Sequence, residues 1–126
     1  MLNHLEYYSD KTILITGAAG FIGSSLVRAL SGIDCNLICL KAGERKFYVA
    51  PDSKARIAVH KEDIRAPAIW DDLLEDTDIV FHLAAQTSSR FANQNPIEDM
   101  ELNLVPVVQL IETCQKRGLR PDIIFS

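Results

Sequence analysis

The stretch that most limits what this chain can fold into runs from Lys11 to Leu30. It opens with Lys11-Thr12-Ile13-Leu14-Ile15, a short apolar, β-branched run that reads as a buried strand. Thr16-Gly17-Ala18-Ala19-Gly20-Phe21-Ile22-Gly23 follows, and from Ile22 to Leu30 apolar residues recur at helical spacing. Each glycine has a physical reason to be there. Gly17 permits the tight turn out of the strand, Gly20 lets an anionic group approach the amides of the first helical turn, and Gly23 lets the helix pack closely on the sheet. A strand, a glycine turn and a helix in that order build a parallel crossover with a phosphate site at the helix start. A glycine turn without a ligand has the same spacing, so the flanking strand and helix carry the reading.

The rest of the chain repeats the alternation. Strand-like runs recur at Thr12–Thr16, Asn36–Leu40, Arg56–His60, Asp78–Leu83 and Asp122–Phe125. Between them lie helical patterns at Phe21–Ser31, at Pro67–Glu75 and in a long segment from Asn95-Pro96, with Asn95 as N-cap. In that segment Ile97, Met100, Leu104, Val107, Val108, Ile111 and Cys114 form one apolar stripe, expected to lie on a sheet. Short, mostly apolar strands joined by crossovers predict an α/β fold, a doubly wound parallel sheet with the ligand at the carboxyl ends of its strands. Lys41–Ala55 is the long loop.

Composition narrows the function classes. The 126 residues, 48% hydrophobic, suffice for one core. Thirteen basic against 17 acidic residues give a net charge of −4, with no basic cluster interleaved with aromatics, so nucleic acid is not an expected partner. Cys35, Cys39 and Cys114 are odd in number and lie in apolar patterns, as reduced core thiols do, which predicts no metal site and fits a cytoplasmic setting. No stretch approaches the length of a membrane span.

Four motifs in order, the glycine run, Asp63-Ile64-Arg65, His82-Leu83-Ala84-Ala85-Gln86, and Asn95-Pro96 with Asn103, resemble those of the extended short-chain dehydrogenase/reductase family. Its members include nucleotide-sugar epimerases and dehydratases, and the resemblance runs from about Lys11 to Ser126. It implies a Rossmann-type sheet of strand order 3-2-1-4-5, truncated after the fifth strand. It also implies a dinucleotide cofactor held by Gly17, Ala19, Gly20, Phe21, Ile22 and Gly23, with Asp63 and the Ile64 backbone on the adenine. Leu83, Ala84, Ala85 and Gln86 would line the ribose and nicotinamide side, and Asn103 would order the floor of the site. Plainer roles exist for several of these: Asp63 as a helix cap, the alanines as core, Asn103 as a solvated helix residue, and His82 as a structural residue at a strand end.

Three departures from the family pattern shape the expectations. Where members that bind NAD have an Asp after the second strand, this chain has Lys41, followed by Arg45 and Lys46. A cation there pairs with a 2′-phosphate, which favours NADP over NAD, although Glu44 remains available to a ribose. Pro106 stands where the family often has Gly, and its missing N–H predicts a kink near Asn103. The family's catalytic Ser or Thr, Tyr and Lys follow the fifth strand, where this chain stops at Phe125-Ser126, while Tyr7, Tyr8 and Tyr48 lie elsewhere.

Residues 1–126 are therefore expected to be an incomplete dinucleotide-binding domain without its substrate domain and without catalytic residues of its own. An open edge at the fifth strand and uncovered apolar surface predict self-association as a homo-oligomer. A non-catalytic dinucleotide sensor of redox state is the alternative on the same fold.

Overall fold

The computed structural model describes residues 4–47, 49–66 and 68–126, which leaves Tyr48 and Pro67 outside the described residues. A short 3-10 turn, His4–Tyr8, leads to strand β1 (Thr12–Thr16) and helix α1 (Phe21–Ser31). β2 (Asn36–Lys41), β3 (Arg56–Lys61), α2 (Ile69–Leu73) and β4 (Ile79–His82) follow. Three consecutive helices, α3 (Ser89–Gln94), α4 (Pro96–Asn103) and α5 (Val105–Arg117), then lead to β5 (Asp122–Phe125).

The strands form one parallel sheet in the order β3-β2-β1-β4-β5, as expected. β1 is central: Thr16 stands beside Leu40 of β2 on one side and His82 of β4 on the other, and His82 stands beside Phe125 of β5. The carboxyl ends of four strands thus meet in one row. The chain reverses direction across the sheet between β1 and β4, which is where such sheets open a ligand crevice.

The period of two along each strand sorts the core into two layers. Ile13, Ile15, Leu37, Cys39, Ile79 and Phe81 face α1, packing with Val27 and Leu30. Leu14 and Val80 face the other way, with Trp70 and Leu74 near α2 and with Leu110 and Cys114 of α5. Both faces are covered over the central strands, while the edge strands β3 and β5 remain largely exposed, as the open edge at the fifth strand was expected to be.

The long helical segment departs from expectation in two ways. The helix breaks at Leu104, one residue from the expected kink, because Pro106 has no N–H to offer the Leu102 carbonyl. Most of the expected stripe also does not lie on the sheet: Ile97, Met100, Leu104, Val108 and Ile111 are exposed to between 42% and 65%, Val107 is half-buried, and of the stripe Cys114 alone is buried. The face that meets the sheet carries Leu102, Pro106, Leu110 and Cys114, spaced by four. Asn95 does precede Pro96 at the N-cap, but its side chain makes no capping bond, and α3 runs directly into it.

Candidate functional site

At the carboxyl end of β1 the chain must turn sharply under β4. Gly17 takes φ +66°, and a Cβ there would come within 2.8 Å of the Ala84 nitrogen, so its lack of side chain answers both the turn and the approach of β4's end. A Cβ on Gly23 would lie 2.1 Å from the Gly17 carbonyl oxygen. Gly23 therefore fits α1 onto its own preceding turn, a closer contact than the sheet packing expected for it. Gly20 is the N-cap of α1, and no side chain caps that helix end. The amides of Phe21, Ile22 and Gly23 consequently have no acceptor within the helix, and they are available to an anion.

A cavity of about 380 Å³ opens beside this helix start. Gly17 and Gly20 form one wall, Leu40, Lys41 and Ala42 the end of β2, Glu62 and Ile64 the segment after β3, and Leu83, Ala84, Ala85 and Gln86 the segment after β4. Its walls are mainly apolar, with a few polar groups at the ends of strands. Phe21 and Ile22 do not line it, being 85% and 56% exposed at the outer side of the helix start. Ala19 borders a different hollow.

Asp63 is placed otherwise than its motif suggests. After β3 the chain turns, with the Ala66 N–H donating to the Asp63 carbonyl at 2.9 Å, and Glu62 and Ile64 line the cavity while Asp63 does not. The Asp63 carboxylate instead accepts the Arg65 backbone N–H at 2.9 Å and is gripped by the Arg65 guanidinium at 2.6 to 3.1 Å. Those hydrogen bonds hold its carboxyl below the usual carboxylate range. Glu44, the alternative ribose partner, pairs with Lys61. Lys41 lines the cavity while its Nζ donates to the Arg45 carbonyl at 3.2 Å.

The segment after β4 is fixed from both sides. Asn103 accepts the Gln86 N–H at 2.6 Å and donates to the Gln86 carbonyl at 2.9 Å, so one side chain pairs with a backbone amide as a neighbouring strand would. The Gln86 side chain in turn accepts from the Ser88 N–H, and the Ser88 hydroxyl caps α3 by accepting from the Phe91 N–H. On the opposite side the buried Thr16 hydroxyl accepts the N–H groups of Leu83 and Ala84 at 3.0 and 3.1 Å. Both its lone pairs are then used, so its proton goes to Nδ1 of His82, 2.9 Å away. The network assigns a neutral His82 with its own proton on Nε2. Its ring lies between those of Trp70 and Phe125, and burial lowers its pKa. His82 is a structural residue at a strand end, and its part in holding Thr16 was not visible in the motif.

The remaining candidate groups lie away from the cavity. Tyr7 has Lys11 four residues later, the spacing of the family's catalytic pair. Both sit at the amino end of the sheet, where Lys11 Nζ lies 4.9 Å from the Tyr7 ring centre. The Tyr7 hydroxyl donates to Asp122, whose charge pushes the phenol up rather than down, the wrong direction for an acid/base. The three cysteines are free and buried, and desolvation pushes Cys39 up to about 12. Among the described residues no group of three or more His, Cys, Asp or Glu could hold a metal, and no helix is long and apolar enough to cross a membrane.

A parallel sheet of this order, with a glycine turn at a helix start and a crevice at the strand ends, defines a Rossmann-type domain. The chain belongs to the NAD dependent epimerase/dehydratase family, whose model matches residues 13–126. It is 33% identical over 120 residues to a D-erythronate dehydrogenase of Haemophilus influenzae, covering 90% of this chain and 36% of that protein. It is 32% identical over 117 residues to a UDP-glucose 4-epimerase of Mycolicibacterium smegmatis, covering 90% and 37%. Among solved structures it resembles MoeE5 in complex with UDP-glucuronic acid and NAD, with a TM-score of 0.70, 28% identity, and 90% and 36% of the two chains covered. The chain thus spans about a third of the length of these relatives.

Proposed function

We propose that residues 1–126 form the dinucleotide-binding part of an NAD(P)-dependent enzyme that epimerises or dehydrates a nucleotide sugar. The observation that carries this reading is the cavity itself, which opens beside the uncapped start of α1 at Gly20 and joins a β2 end without a carboxylate to the segment Leu83–Gln86. These features suit the parts of a dinucleotide in turn: free amides and the helix dipole for the pyrophosphate, apolar walls for adenine and nicotinamide. When bound, the cofactor supplies hydride acceptance and return at a sugar carbon.

This chain's own residues bind and orient. The helix start at Gly20–Gly23 anchors the phosphates, and Ile64 offers backbone and apolar surface to the adenine, with Asp63 beside it. Leu83, Ala84 and Ala85 present a small-residue floor whose position Thr16 and Asn103 fix. NADP is favoured over NAD because Lys41 cannot accept hydrogen bonds from ribose hydroxyls. The matched family is one of enzymes, which favours this reading over a redox sensor. The exposed stripe from Ile97 to Ile111 is a surface for a second copy of the chain, and light scattering over a wide concentration range tests that homo-oligomer, which a persistent monomer would contradict.

The test of the main reading is a fluorescence titration of the chain with NADH and NADPH. Saturable binding that Gly20→Val abolishes, with the circular dichroism of the fold retained, is expected. A folded wild-type chain that saturates with neither nucleotide refutes it.

A further inference from the structure

Of Asp63, Ile64 and Arg65, Ile64 alone lines the cavity, and the Asp63 carboxylate is spent on its neighbour. Oδ1 accepts the Arg65 backbone N–H at 2.9 Å and the Nε–H at 3.0 Å. Oδ2 accepts from Nη2 at 2.6 Å and shares the Nε–H at 3.1 Å. These contacts fill the roughly four lone-pair positions of a carboxylate, so none is left for a ligand. The grip lies at the surface, with Arg65 38% and Asp63 49% exposed, where an ion pair is weak enough to be exchanged. A second partner stands close by. Arg65 Nη1 makes none of the Asp63 bonds and lies 3.7 Å from the carboxylate of Glu98, in the first turn of α4, and the charge of Glu101 adds to the pull.

The exocyclic amino group of adenine is a donor alone, so a ring seated against Ile64 needs an acceptor at its edge. The carboxylate next to Ile64 supplies one only by giving up bonds to Arg65. We propose that Arg65 is a specificity-determining residue, which passes from Asp63 to Glu98 when the amino group of a purine arrives. It thereby sets how strongly the site prefers a base that carries that group. Affinity for such a base scales with the fraction of chains whose Asp63 is free, whereas a base without the amino group gains nothing from the exchange. This inference rests on the dinucleotide reading above and concerns its base end.

The test is calorimetric titration of the whole 126-residue chain with NAD+ and, separately, with its hypoxanthine analogue, in which a carbonyl replaces the adenine amino group. The ratio of the two affinities is the readout, because a substitution that merely loosens the fold weakens both nucleotides together. Arg65→Ala frees Asp63 and should raise the preference for NAD+ about fivefold or more, as one charge-assisted hydrogen bond allows. Arg65→Lys, which keeps the charge without the planar fork, should fall between. Glu98→Gln removes the second partner and should lower the preference about twofold, the opposite sign from Arg65→Ala. Adding Asp63→Ala to Arg65→Ala should abolish the gain. A ratio that Arg65→Ala leaves unchanged or lowers overturns the inference, and so does a gain that survives Asp63→Ala, which would assign the reading to Glu62, the carboxylate that lines the cavity. NAD+ binding in those cases keeps the dinucleotide reading, whereas failure of the folded wild-type chain to bind either nucleotide overturns both.

Discussion

Replacing Thr16 by Val removes one hydroxyl and keeps the side chain's shape, and the structure makes that hydroxyl the fastening between β1 and the segment after β4. Three hydrogen bonds are lost, to Leu83 N–H, Ala84 N–H and His82 Nδ1. At about 1 kcal/mol net for each, Thr16→Val should destabilise the fold by about 3 kcal/mol. That is a large share of the roughly 5–15 kcal/mol typical of a domain, and it should lower the melting temperature by on the order of 10 °C. Urea unfolding followed by circular dichroism measures it. Thr16→Ser, which keeps the hydroxyl and gives up a methyl, should cost only about 1 kcal/mol. A double-mutant cycle of Thr16→Val with His82→Phe should show a coupling of about 1 kcal/mol, because the two substitutions remove one shared bond. A loss below about 1 kcal/mol in Thr16→Val, or strict additivity in the cycle, would refute the assigned network.

Other consequences follow from the same geometry. Gly23→Ala places a Cβ where the Gly17 carbonyl stands, so it should cost about 3 kcal/mol by thermal melting, against a few tenths for Gly32→Ala, whose added Cβ meets nothing within 4 Å. Burial lowers the pKa of His82 in the folded state, so the unfolded chain takes the proton first. Its contribution to stability should be complete above about pH 6.5 and decline as pH falls through and below that value, a decline His82→Phe should reduce in paired urea titrations. Asn103→Ala removes both bonds to the Gln86 backbone, and hydrogen exchange at the Gln86 amide should speed up about tenfold or more, whereas an unchanged rate would show that the segment is held elsewhere.

The strands were legible because short apolar runs joined by crossovers mark a parallel sheet, and β1 and β5 fall on the residues the pattern marks, whereas their order came from the family resemblance. Gly17 and Gly20 of the glycine run, Leu83–Gln86 and Lys41 meet in one cavity, as motifs at the ends of neighbouring strands must. Side-chain direction was less legible. Asp63 carries the motif, yet the turn that follows β3 puts Glu62 and Ile64 at the cavity and pairs the Asp63 carboxylate with Arg65. The helical stripe failed for a related reason: apolar residues at steps of three and four can face a sheet or an open side. Leu102, Pro106, Leu110 and Cys114 make an equally regular face, and that is the one the sheet covers. α3 is six residues long and has too little periodicity to mark it, although Ser88 three residues before Phe91 was a usable capping signal. The bond between Thr16 and His82 spans 66 residues, which no local pattern records.

The measurement that bears most directly on the proposed site is a two-dimensional NMR titration of the isotopically labelled chain with NADP+. Saturable shifts of the amides of Gly17–Gly23, Lys41, Ile64 and Leu83–Gln86, and of the Arg45 and Lys46 amides with NADP+ more than with NAD+, are the expected result. A folded chain whose amides do not move, or move only along the exposed face of α4 and α5, would contradict the assignment of this crevice to a dinucleotide.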